Sequence, residues 1–131
     1  MKKCFLIGII TALTGCAASP ELQKIQREVA DHMPTCNADI PKQCAQMWEA
    51  AQVWVVQNSA FKLQIATDVL LETYGPPAYD TRIAVRVLKE PTGPGSYRFN
   101  ATVYCSNIFG CSPNQWVALR DFQQYVSNAK I

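Results

Sequence analysis

One histidine, His32, stands alone in 131 residues, and that scarcity limits the chemistry the chain can carry. Beside Pro34 and without a catalytic partner, it reads as a solvent-exposed helix residue. The serines at 59, 96, 106 and 112 sit among turn formers and lack the Gly-x-Ser-x-Gly elbow of hydrolases. No Cys-x-x-Cys occurs, which removes the usual redox dithiol. Glycine is scarce, and its densest stretch, Gly93-Pro94-Gly95, puts proline where a phosphate cradle needs backbone N–H donors. Asp68 and Glu72 can share a strand face, but an exposed carboxylate pair has no burial to separate its two roles. No catalytic residue, metal ligand set or small-molecule substrate is inferred, and a hydrolase with an unrecognised site stays as the minor reading.

Long apolar runs are also rare, and the first is the most informative. Met1-Lys2-Lys3 precedes an apolar stretch from Cys4 to Leu13, too short to span a bilayer as a helix. Leu13-Thr14-Gly15-Cys16 then sets an aliphatic residue and two small ones before a cysteine. Over these sixteen residues the chain resembles the signal of bacterial lipoproteins. The resemblance implies that residues 1–15 are removed and that Cys16 carries a diacylglycerol and an N-acyl chain, with no other cofactor. In that class an Asp after the cysteine retains the protein at the inner membrane. Here the residue is Ala17, which implies lipid anchoring at the outer membrane, facing the periplasm.

This address changes the rest of the count. Removing residues 1–15 from 131 leaves 116, enough for one domain with a modest core. The twelve basic residues lose Lys2 and Lys3, which leaves ten against ten acidic ones. A balanced domain has no long-range attraction for polyanions, so nucleic acid is excluded as an expected partner. Discarding Cys4 and lipidating Cys16 leaves Cys36, Cys44, Cys105 and Cys111, an even set in an oxidising compartment. Three connectivities exist. Cys36 with Cys44 and Cys105 with Cys111 is favoured, because each pair is close in sequence and encloses turn formers. Loops this short suggest about 2–3 kcal/mol of stabilisation per bridge. Zinc ligation would want tighter pairs than these, which have seven and five intervening residues.

Patterning along the chain predicts an α+β domain. Ser19-Pro20-Glu21 starts a helix on which Leu22, Ile25, Val29 and Met33 form a narrow apolar stripe, fit to pack on the domain or to serve as a spacer beside the anchor. Residues 16–34 are thus a lipidated N-terminus and amphipathic helix, and 35–131 a single α+β domain. A second helix over 42–58 is apolar on nearly all sides and reads as buried. From Phe61 to Tyr74 the period is two, a long strand with a bulge or break near Ala66 to Asp68, or a short helix over 68–74. Two further alternating runs, 82–88 and 97–105, complete a three-stranded antiparallel meander. Ser112-Pro113-Asn114-Gln115 reads as a capping box for a last helix. The order is α-α-β-β-β-α, with helices covering one face of the sheet.

If odd-numbered strand residues face the helices, the open face presents Lys62, Asp68, Glu72, Tyr74, Arg82, Arg86, Arg98, Asn100 and Tyr104. Arginine and tyrosine are enriched where proteins meet, so Tyr74, Arg82, Arg86, Arg98 and Tyr104 are candidate partner-binding residues. Cross-strand charge pairing on a solvated face is the plainer reading. Phe109, in the loop closed by Cys105 and Cys111, is the remaining candidate, as a core plug or an exposed anchor. Two functions fit: a membrane-anchored, non-catalytic protein-binding or assembly subunit of the envelope, and an inhibitor or immunity-type module acting on an enzyme. Cys16→Ser is expected to abolish fractionation with membranes. Lipid-modified protein persisting in that variant would contradict the anchor.

Overall fold

The computed structural model describes residues 18–129, so the signal and Cys16 lie outside the described residues. Helix α1 spans Pro20–Asp31, with the Ser19 hydroxyl accepting from Leu22 N at 3.2 Å and proline at the first helical position. Ile25 and Val29 are buried against α3, which spans Gln115–Asn128. The two helices run parallel. A groove at their starts is lined by Ser19, Leu22, Asn114 and Val117, and near their ends Gln123 Nε2 donates to Val29 O at 2.8 Å. His32, exposed after the last turn of α1, brings Nδ1 within 2.6 Å of Glu28 O. Both contacts occupy carbonyls that the helix end leaves without partners.

Helix α2 spans Gln43–Asn58 and buries Met47, Trp48, Ala51, Trp54 and Val55. Trp48 and Trp54 lie on different sides, as their spacing requires. Trp48 stacks on Phe99 of the sheet with ring centroids 5.8 Å apart, and Trp54 meets Phe122 of α3 edge-on at 5.2 Å. The expectation of burial on all sides is corrected, since Val53 and Val56 are exposed. One sheet face and one neighbouring helix do not supply enough surface to enclose a sixteen-residue helix.

Five antiparallel strands replace the expected three: β1 (Thr35–Cys36), β2 (Leu63–Ala66), β3 (Leu70–Thr73), β4 (Ala84–Gly93) and β5 (Ser96–Tyr104). Their order is β1-β5-β4-β3-β2, and the chain runs α-β-α-β-β-β-β-α. The break expected near Ala66 to Asp68 is a full hairpin. Thr67 Oγ1 accepts from Leu70 N at 3.0 Å and from Val69 N at 3.3 Å, so one hydroxyl helps fold the run back on itself. Residues 70–73 are strand, not helix. The pairing shifts between Leu63 and Ile65, so Ile65 lies opposite Glu72 and Ala66 opposite Leu71. An extra residue there turns Ile65 to the open face, against the simple odd-in pattern.

Odd-in alternation holds elsewhere, with Leu71, Val85, Val87, Phe99, Ala101 and Val103 buried under the helices. The β4–β5 ladder reaches Gly93 opposite Ser96, beyond the ends of the alternating runs 82–88 and 97–105. Gly95 takes φ 70°, and a Cβ there would meet the Ala38 Cβ at 3.0 Å, so both conformation and space call for glycine. The added β1 pairs Thr35 with Arg98 and Cys36 with Tyr97, and the Cys36–Cys44 disulfide ties it to α2. Cys105 and Cys111 form the second bridge, with Cα atoms 5.7 Å apart, linking the end of β5 to the approach of α3.

The cap of α3 is Asn114, whose Oδ1 accepts from Trp116 N at 2.9 Å and Val117 N at 3.4 Å. Ser112, the expected cap, precedes the helix by three residues and gives its backbone N–H to Thr81 O instead. Asn114→Ala is expected to lose about 1 kcal/mol in urea unfolding, while Ser112→Ala changes stability by only a few tenths. Equal losses would return the cap to Ser112.

Candidate functional site: the apolar end and the open sheet face

Two short turns lie side by side where β3 and β5 end and β4 begins. In the first, Asp80 N donates to Pro77 O at 3.2 Å, which places Ala78 and Tyr79 at its centre. In the second, Gly110 N donates to Asn107 O at 3.2 Å, and Asn107 Oδ1 accepts from Phe109 N at 2.9 Å, which places Ile108 and Phe109 at its centre. Asn at the first position and Gly at the fourth are the residues such a turn favours.

The turns are joined to one another. Ser106 N donates to Asp80 O at 3.1 Å and its Oγ accepts from Asp80 N at 3.1 Å. The same hydroxyl donates to Pro77 O. Asn107 Nδ2 reaches Tyr79 O at 2.9 Å, and Ser112 N reaches Thr81 O at 2.8 Å. With the Cys105–Cys111 bridge at its base, the pair of loops forms a hydrogen-bonded block.

That block displays apolar side chains. Phe109 is 93% exposed, Ile108 84% and Tyr79 78%. Of the two possibilities for the Ile-Phe pair, the structure has the exposed one. Tyr79 also adopts φ 63°, at the third turn position where glycine sits without cost. A bulky L-residue in that left-handed region costs about 1–2 kcal/mol. Lys42, at the cap of α2, shares this conformation with φ 64°.

Arg82 belongs to this end and not to the sheet face, which corrects the odd-even assignment. Its guanidinium grips Asp80, with Nη2 to Oδ2 at 2.6 Å, and lies over the Phe61 ring at 5.0 Å. The hydrogen bonds from the Arg82 side chain, then from its backbone, hold the Asp80 carboxyl below the ordinary aspartate range, and Asp80 raises the guanidinium in return. With Asp80 depressed, the pair is complete above the ordinary carboxylate range and is lost only as pH falls through the lowered value. Lys62 and Asp68 also lie off the face, before β2 and in the turn over 67–70.

Opposite the helices, the open face carries Arg86 paired with Glu72 at 2.9 Å and Arg98 paired with Glu90 at 2.8 Å. Arg98, then Asn100, hold the Glu90 carboxyl below its ordinary range. Tyr74 and Tyr104 are exposed at the end of this face nearest the loops, and a Cβ on Gly75 would lie 3.9 Å from the Tyr104 hydroxyl. The candidate residues therefore divide: Arg86 and Arg98 in opposite halves of the face, Tyr74 and Tyr104 at its end, Arg82 and Phe109 in the loops. Tyr79, Asp80 and Glu90 belong with them and escape the sequence pattern. For Tyr79, an aromatic inside the loop over 75–81 was the available signal.

The buried polar side chains support backbone. Gln43 Oε1 accepts from Asn37 N at 2.8 Å, Thr73 Oγ1 from Val85 N at 3.0 Å, and Gln123 holds α1. Among the described residues no group of three His, Cys, Asp or Glu is placed to hold a metal, and no helix is long and apolar enough to cross a membrane. Comparison with protein-family models, curated proteins and solved structures finds no match to the chain.

Replacing the strained tyrosine separates stability from use. Tyr79→Gly is expected to raise unfolding stability by about 0.5–1 kcal/mol, the relief of the left-handed conformation less the extra entropy of glycine. A destabilised variant would mean that the Tyr79 ring is a packing element.

Proposed function

We propose that this chain is a lipid-anchored protein of the bacterial outer membrane, facing the periplasm, whose domain acts by binding another protein as an accessory or assembly subunit. The observation that carries the reading is the one-sided cover of the sheet. Helices protect one face, and the other is left uncovered, with an ion-paired arginine in each half and tyrosines at one end.

Glu72 and Glu90 hold Arg86 and Arg98 in fixed positions. A side chain already ordered loses less entropy when a partner arrives, so these pairs prepare the surface for contact. Exposed pairs of this kind are worth about 0–1 kcal/mol to folding. Their removal therefore tests binding with little effect on the fold.

A second reading, an inhibitor or immunity-type module, draws on the exposed Ile108 and Phe109. A narrow, disulfide-closed turn is a shape that enters an enzyme cleft.

Crosslinking in intact envelopes distinguishes the surfaces. Arg86→Ala combined with Arg98→Ala is expected to remove the crosslinked partner while the urea midpoint stays within the range of an exposed pair. Recovery of the same partner at the same yield would take the sheet face out of consideration.

A further inference from the structure

The apolar loops and the start of α1 lie at the same end of the domain. Helix α1 begins at Pro20, and its cap Ser19 shares a groove with Asn114 and Val117 at the start of α3. Asn114 comes three residues after Cys111, and Cys111 closes the loop that carries Ile108 and Phe109. Cys16 precedes Ser19 by three residues, a span of at most about 11 Å. An acylated Cys16 therefore holds the α1 start within about one headgroup layer of the bilayer. The end that carries Tyr79, Ile108 and Phe109 is then the end held nearest the lipid.

We infer that these three side chains are a second membrane contact, inserted into the bilayer interface beside the acyl chains. The inference rests on the acylation of Cys16 proposed above. Its chemistry fits the place: a tyrosine with its polar tip settles at headgroup level, and phenylalanine and isoleucine bury their apolar side chains at the headgroup–acyl boundary beneath it. The turns present them together on a block braced by Ser106, Asn107 and a disulfide, so docking orders little that is not already ordered. The strained Tyr79 is explained as well, because its backbone conformation belongs to the same braced turn.

The consequence is orientation. Acyl chains alone tether a domain at a point and leave it free to swing, whereas a rigid apolar end fixes which way it faces. With that end on the lipid, the strands stand away from the surface, and Arg86 and Arg98 are presented sideways to the periplasm. The turn of Pro94 and Gly95 and the Cys36–Cys44 bridge lie at the far end. Glu21 and Asp80 share the membrane end with Arg82 and Lys62. Contact there is accordingly apolar rather than a matter of net charge, and is expected to vary little with salt.

The test uses the acylated full-length protein with benzoylphenylalanine replacing Phe109, or replacing Thr92 at the far end. Each is reconstituted into phospholipid vesicles without other protein, irradiated, and analysed by intact mass. Expected is covalent addition of phospholipid at position 109 and none at position 92. Acyl mass on Cys16 without a lipid adduct at 109 overturns this inference and leaves the anchor intact. Absence of acyl mass removes both. The same irradiation in intact envelopes is expected to give the lipid adduct again, and a protein adduct at 109 in its place assigns the loop to a protein partner. As an independent readout, Phe109→Asp is expected to weaken retention of the vesicle-bound orientation about ten- to a hundred-fold, the scale of exposing one large apolar side chain. Unchanged orientation contradicts the contact.

Discussion

Phe122 packs edge-on against Trp54 of α2 while the adjacent Gln123 donates to the Val29 carbonyl of α1, so a single turn of α3 holds both other helices. The neighbouring Asp121 accepts the Trp54 indole N–H at 2.7 Å, which satisfies a donor that burial would otherwise strand. Phe122 is completely buried, and truncation of such a ring costs about 3–5 kcal/mol. The effect of this turn is directional as well as energetic. Because Gln123 meets the last part of α1 and Val117 the first, the two helices lie parallel, and their starts share one end of the molecule. The disulfide-braced loops rise from that same end, because only two residues separate the bridged Cys111 from Asn114, the cap of α3.

The two ends of the domain have unlike surfaces. At the far end, β1 and the N-terminus of α2 are tied by Cys36–Cys44, Pro94 and Gly95 turn the main hairpin, and Lys89 lies over the rings of Tyr97 and Trp48. At the near end, two turns spend their hydrogen bonds on each other and leave Tyr79, Ile108 and Phe109 to solvent. Between them the open sheet face has its charges internally matched. The acyl chains proposed at Cys16 give that asymmetry a physical reference plane.

Ser19-Pro20 fixes the start of α1, the apolar spacing in α3 gives its extent, and α2, which has no capping side chain, is legible only as a long apolar run. Ser112-Pro113 drew the start of α3 too early, since proline favours a first helical turn, yet Asn114 offers an equivalent capping oxygen two residues on. The run over 61–74 shows an interruption near Ala66 to Asp68 but not a reversal of the chain, because a hairpin with Asp68 and Val69 at its tip has no Gly or Asn to mark it. Thr67 closes that turn, through its hydroxyl and its backbone N–H. A two-residue strand such as β1 has no period to detect, and its place depends on closure by Cys36–Cys44. For the loops, local pattern is equally compatible with Ile108 and Phe109 plugged into the core or exposed. The choice is made by Ser106 and Asn107 bonding to residues 77–80, a pairing across nearly thirty positions that no local pattern encodes.

Paramagnetic broadening reports which end of the domain faces the bilayer. Acylated protein in nanodiscs containing a gadolinium-chelate headgroup lipid is expected to lose amide signal at residues 19–22, 78–81 and 107–110, while 36–44 and 92–96 stay sharp. Broadening centred on 92–96, or spread evenly over the domain, would contradict a fixed apolar end on the membrane.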